Sequence, residues 1–221
     1  MAHKEEFKHD AVRENLVKIV GVFRNNKSQI LQYGVIAIVA FSLISWYVAN
    51  KKSKDHASIV EFGKAVNLYI DGESDLAMID IQSVADNYDG SQSADHARIF
   101  LIQEAMKNKD YDLAKEEADK LLNNTSNDLI ISAMWSVKGD IAYNQGDFDS
   151  ALHNYQKAAD SIELKSIADS YRVNAARVYM EKKNYADAKQ VLDSVLDNSD
   201  LRFNVKNIAE DLLAEVNYHL N

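Results

Sequence analysis

Six histidines and one short acidic run are the side chains best suited to binding a metal or moving a proton. The histidines are His3, His9, His56, His96, His153 and His219. No two of them stand at ligand spacing, and no His-Glu-x-x-His arrangement places two imidazoles on one helical face. Glu116, Glu117 and Asp119 form a carboxylate cluster, but the helical periodicity around them predicts a solvated face. The chain has no cysteine, which excludes disulfides, thiolate metal ligands and cysteine nucleophiles. Its seven glycines are scattered singly, so no loop is built to cradle phosphate. These features predict a protein that is not an enzyme and carries no cofactor and no metal.

What must be positioned is therefore a surface, and composition says which elements can build one. The chain of 221 residues contains no proline, where average usage of roughly 5% would give about eleven. With so few obligatory breaks, continuous helices are expected. Residues 58–221 hold 16 Lys/Arg against 29 Asp/Glu, a balance of −13. That acidity argues against nucleic acid and anionic lipid surfaces as partners.

From Ser28 to Asn50 run 23 residues without a charge, bracketed by Lys27 and Lys51. At about 1.5 Å per residue they cover roughly 34 Å, enough for a hydrocarbon core of about 30 Å. Tyr33 near one end and Trp46 and Tyr47 at the other form an interfacial aromatic pattern. A cleavable signal peptide would have a shorter apolar region and a small-residue cleavage site. The expectation is a retained signal-anchor: an arm at 1–27, a transmembrane helix at 28–50 and a linker at 51–57. Four basic residues flank the span closely on each side, Arg13, Lys18, Arg24 and Lys27 before it and Lys51, Lys52, Lys54 and Lys64 after it. The flanks alone set no orientation. The six basic residues of the whole arm favour an N-terminus in the cytoplasm, with the following domain outside it. Within the arm, Phe7, Ala11, Val12, Leu16, Ile19, Val20 and Phe23 share one helical face, suited to a membrane surface or a partner.

Beyond the span the sequence repeats. Ala77, Ala114, Ala151 and Ala188 are separated by 37, 37 and 37 residues. The turn position before them, Gly72, Lys109, Gly146 and Lys183, keeps the same interval. A fixed period of this length predicts stacked helical hairpins, none able to bury its apolar stripe alone. Units are placed at 58–94, 95–131, 132–168 and 169–202, closed by a capping helix at 203–220. Gly146 is expected to end a first helix in the left-handed conformation, and Asp147 to cap the next.

The third unit, with Trp135, Gly139, Gly146, Asp147, Phe148, Ala151, Tyr155 and Ala158, resembles the tetratricopeptide repeat. It departs from that pattern at Lys138 and Ala142 and lacks the terminal proline. The resemblance implies an all-α fold, a tetratricopeptide-like α-solenoid of four hairpins with a capping helix. It also implies a protein-binding groove along the first helix of each unit, at its second, fifth, ninth and twelfth positions. Those positions are Ile59, Phe62, Val66 and Tyr69, then His96, Ile99, Gln103 and Met106. The third and fourth units supply Ala133, Ser136, Asp140 and Tyr143, then Ser170, Val173, Arg177 and Met180. Phe62 and Tyr69 fit equally well as core of a degenerate first unit. Arg177 is the one cation in the set, which disfavours a clamp for terminal carboxylates.

The whole layout of arm, span ending in SWYVANKKSK and repeat domain is similar to the YfgM-type family of bacterial inner-membrane proteins. That resemblance implies an ancillary subunit of the Sec translocon with a periplasmic repeat domain. Its implied partners are the translocon, a membrane-anchored chaperone and unfolded secretory chains. A structural scaffold for another cell-envelope complex, working through self-association, is the alternative. An adaptor facing the cytoplasm is a third reading.

Overall fold

The computed structural model describes residues 27–220. All regular structure among them is α-helical, and the described residues divide between Lys54 and Asp55 into two compact units. The amphipathic segment expected at 5–23 lies outside the described residues.

Helix α1 runs Lys27–Ile70. Its apolar run is bare: Tyr33, Ile36, Phe41, Ile44 and Trp46 are between 61% and 72% exposed. Among the described residues this is one helix long and apolar enough to cross a membrane. The linker expected at 51–57 is corrected to helix. Between Gly34 and Gly63 the chain has neither glycine nor proline, and lysine and alanine favour continuation. α1 stops where Gly72 adopts φ +92°.

The unit beginning at Asp55 is built from hairpins. Hairpin 1 pairs the end of α1 with α2 (Ser74–Asn87). Hairpin 2 is α3 (Gln92–Lys107) and α4 (Tyr111–Asn124), and hairpin 3 is α5 (Asp128–Asn144) and α6 (Phe148–Asp160). Hairpin 4 is α7 (Lys165–Glu181) and α8 (Tyr185–Leu196), and α9 (Phe203–Leu220) follows it. Helices adjacent in sequence pack on one another from α2 to α9. The first helices of hairpins 2, 3 and 4 start three or four residues ahead of the expected unit starts. Ser91 and Asn127 cap two of them by accepting from the Ala94 and Leu129 amides at 3.1 and 3.0 Å.

The turns explain why hairpins form at one interval. Gly72, Lys109, Gly146 and Lys183 all have positive φ, at 92°, 59°, 78° and 58°. The next amide in each case donates back to the carbonyl five residues earlier. The pairs are Glu73 to Leu68, Asp110 to Ala105, Asp147 to Ala142 and Asn184 to Tyr179, all between 2.8 and 3.0 Å. This is a Schellman closure repeated four times. Asp110, Asp147 and Asn184 then cap the following helix through their side chains.

Burial obeys the same period. Ala77, Ala114, Ala151 and Ala188 are wholly buried. The residues four further on, Ile81, Ala118, Tyr155 and Leu192, and seven further on, Val84, Leu121, Ala158 and Val195, are at most 3% exposed. Spacing of four and seven is one face of a helix, so each second helix lays the same stripe against its neighbours. The hairpins are equivalent at the level of individual core positions. α9 closes the stack with Val205, Ala209 and Val216 against the core of hairpin 4.

Candidate functional site

The first helices of hairpins 2, 3 and 4 border two adjoining open cavities. One, of about 400 Å³, brings Met106, Asp140, Tyr143 and Arg177 together with Asn144, Asn174 and Tyr155. The next, of about 410 Å³, shares Tyr143 and Arg177 and adds Met180, Glu181, Lys183 and Tyr185. Leu212 and Glu215 of α9 form its far wall. Five of the expected groove residues, Met106, Asp140, Tyr143, Arg177 and Met180, thus line one continuous depression.

The others do not. Val173 is corrected from groove wall to core: it is 3% exposed and packs with Leu192 and Val195. Phe62 packs against Ala65, Ile81 and Leu101, with its ring 6.3 Å from that of His96. Tyr69 turns its ring edge onto Phe100 at 4.8 Å and donates its hydroxyl to Glu104 Oε1 at 2.7 Å. Val66 is half-buried and Gln103 exposed. Ile99 packs on the cluster of Ile102, Leu121 and Met134, and Met106 borders the same cluster from the groove side. Hairpin 1 therefore spends its aromatic side chains on packing, and the open groove begins at Met106.

The polar groups of the groove are unequally held. Tyr155 donates its hydroxyl to Asp140 Oδ1 at 2.6 Å. Burial raises the Asp140 carboxyl above its ordinary range, opposed by that hydrogen bond and by the charge of Arg177. Burial, then the Asp140 carboxylate, push the Tyr155 phenol far up. Tyr143 donates to Glu181 Oε1 at 3.1 Å, and burial is the first cause of its raised phenol. Arg177 is exposed and makes a long 3.5 Å contact with Asn174 Oδ1. Its guanidinium and the Asn144 and Asn174 amides can donate, while Asp140 and the amide oxygens can accept. Such a mixture suits a peptide backbone, and Met106 and Met180 provide deformable apolar contact beside it.

Two features escaped the sequence pattern. Glu117, expected on a solvated face, is 1% exposed and bound by Arg98 Nη1 at 2.5 Å and Lys120 Nζ at 2.6 Å. Tyr155, Asn144 and Asn174 line the groove from positions outside the expected set. The Gly139–Tyr155 pairing was the signal for the first of these, because a missing side chain invites a ring. Among the described residues no group of three or more His, Asp or Glu could hold a metal ion.

The family model for the tetratricopeptide repeat matches residues 132–162. That segment begins four residues into α5 and ends just past α6, so it covers hairpin 3 nearly whole. The curated proteins and the solved structures give no match to the chain. With its helices in consecutive hairpins, the chain has an all-α, tetratricopeptide-like solenoid fold containing one recognisable repeat of that type.

Proposed function

We propose that the chain is a membrane-anchored, non-enzymatic adaptor whose groove holds an extended segment of a partner protein. The observation that carries this reading is the depression shared by Met106, Asp140, Tyr143, Arg177 and Met180. It offers donors, acceptors and soft apolar side chains, and no paired nucleophile and base. A tetratricopeptide repeat supports a role in protein–protein interaction. The bare apolar run of α1 supports an anchor, and tethering would turn weak groove contacts into useful occupancy.

The finer assignment follows the architectural resemblance to the YfgM-type family. The repeat domain would face the periplasm beside the Sec translocon and hold a membrane-anchored chaperone or an emerging secretory chain. A photo-crosslinking residue at Asn144, exposed and lining the depression, tests it in the full chain. Translocon subunits, their chaperone or nascent secretory chains should be trapped, and Arg177→Ala should reduce the yield. Trapping unrelated envelope assembly factors alone would overturn the assignment. A reporter fused after residue 60 decides the orientation, and a cytoplasmic signal would defeat the periplasmic placement.

The competing reading is a self-associating scaffold. Phe203 and Tyr218 of α9 favour it, being 79% and 80% exposed. The mass of the full chain in nanodiscs separates the two, because a stable homo-oligomer dissociated by Phe203→Ser supports the scaffold.

A further inference from the structure

On the side of the solenoid away from the groove, each first helix lies under a cleft between two successive second helices. The period makes three such clefts comparable. The residues at its floor are Arg98, Trp135 and Arg172, and those on its later wall are Glu117, Asn154 and Val191, then Lys120, Lys157 and Ser194.

Two of the clefts are filled by the chain itself. In hairpin 2, Arg98 is inserted until its side chain is 5% exposed, and binds Glu117, the Ala85 carbonyl and Asp89. In hairpin 3, the Trp135 ring takes that place, with Lys157 Nζ at 4.1 Å and Lys138 Nζ at 4.9 Å from its centroid. Lys138 is held in turn by Asp119 at 2.5 Å.

The third cleft is open. Arg172 is drawn aside to Asp169 Oδ1 at 2.6 Å, and its side chain is 36% exposed. Ala175 stands where hairpin 3 has Lys138, Ser194 where it has Lys157, and Gln156 where the preceding wall has Asp119. The loss of these long side chains leaves a cavity of about 480 Å³. Leu152, Ala175, Tyr179 and Val191 give it apolar walls, and it shares no residue with the two groove cavities. No carboxylate lines it, although the domain around it is strongly acidic. Arg172, His153 and the Gln156 and Gln190 amides border it instead.

We infer that this cleft docks an aromatic side chain of a partner polypeptide whose neighbouring residues are acidic. The ring would occupy the volume equivalent to that of Trp135 one repeat earlier, between side chains of the corresponding helices of the next repeat. A flanking carboxylate would meet Arg172, which has donors to spare beyond the one given to Asp169. Elsewhere the acidic surface repels such a segment, so charge complementarity selects this cleft. The site is separate from the groove, and its failure would leave the groove reading standing.

The absence of native cysteine allows a clean test. In the full chain in nanodiscs, Gln190→Cys carries a fluorine tag, with a tag at the distant Asn123→Cys as control. The blocked tripeptide Asp-Trp-Asp should shift the tag at 190 saturably and leave the tag at 123 unmoved. Asp-Ala-Asp and Lys-Trp-Lys should each bind there at least roughly tenfold more weakly. Ala175→Lys and, separately, Ser194→Lys restore the side chains of the filled cleft, and each should abolish the shift. A response to Asp-Ala-Asp or to Lys-Trp-Lys equal to that for Asp-Trp-Asp, persistence of the shift in either lysine variant, or no response to Asp-Trp-Asp would overturn the proposal.

Discussion

The ring of Tyr155 lies against the backbone of Gly139 so closely that a Cβ on the glycine would stand 2.6 Å from Tyr155 Cε1. The corresponding pairs in the other hairpins are Ala65 with Ile81, Ile102 with Ala118, and Ala176 with Leu192. Each pair has one small and one large partner, all within the buried core. In hairpin 2 the sizes are exchanged between the helices. Volume is thus conserved at this contact while its distribution drifts, as close packing requires.

Gly139→Ala should therefore destabilise the repeat domain by about 2–3 kcal/mol, because the buried ring, fixed by its hydrogen bond to Asp140, must shift to admit the Cβ. Adding Tyr155→Leu to that variant copies the Ala176–Leu192 pair of hairpin 4 and should recover about half the loss. The remainder reflects the hydrogen bond to Asp140 that leaves with the phenol. Urea unfolding of both variants measures the recovery, and a double variant weaker than Gly139→Ala alone would contradict conserved volume.

A second prediction comes from the turns. Lys109 and Lys183 adopt φ near +59° and +58° where hairpins 1 and 3 have glycine. A side chain there is strained, so Lys109→Gly and Lys183→Gly should each stabilise by about 0.5–1 kcal/mol after the entropy cost of glycine is subtracted. Gly146→Ala should cost about 1 kcal/mol by the same argument. Thermal midpoints for the three variants should move up, up and down.

The turns and the repeated alanines are what made the fold legible in sequence. They are local: the left-handed residue, the cap after it and the buried alanine all fall within six residues of one another. That Met106, Asp140, Tyr143, Arg177 and Met180 share one depression was legible only through the resemblance to the tetratricopeptide repeat, which assigns them their positions in the first helices. Val173 was misplaced because the same stripe serves the core where α8 and α9 close over it. Glu117 was misread for a different reason. Its partner Arg98 comes from the preceding helix, 19 residues earlier, and pairing across helices leaves no mark on local periodicity.

The Arg98–Glu117 pair supplies the third prediction. Glu117→Ala leaves a guanidinium buried with less compensation and should cost about 3–5 kcal/mol. Replacing both partners, as Arg98→Met with Glu117→Leu, removes the uncompensated charge and should restore stability to near that of the parent. Lys120 keeps Glu116 as a partner at 2.8 Å in either case. If the double variant is as unstable as the single one, the pair holds the hairpins in a way that apolar packing cannot replace.

The contact between Tyr69 and Glu104 gives the fourth prediction, because it links the first helices of hairpins 1 and 2. The Tyr69 hydroxyl, and after it Lys107, hold the Glu104 carboxyl below its ordinary range. A carboxyl with a lowered folded-state pKa contributes stability above its unfolded pKa, and that contribution is lost as pH falls through the lowered value. Tyr69→Phe should accordingly cost about 1 kcal/mol at neutral pH. The gap between parent and variant should narrow below the ordinary carboxylate range, as the proton displaces the charge that the hydroxyl stabilises. Urea midpoints measured at neutral and acidic pH give both gaps directly. No gap at either pH would show that Tyr69 acts through its ring on Phe100 alone, and the hydrogen bond would then have no part in joining the first two hairpins.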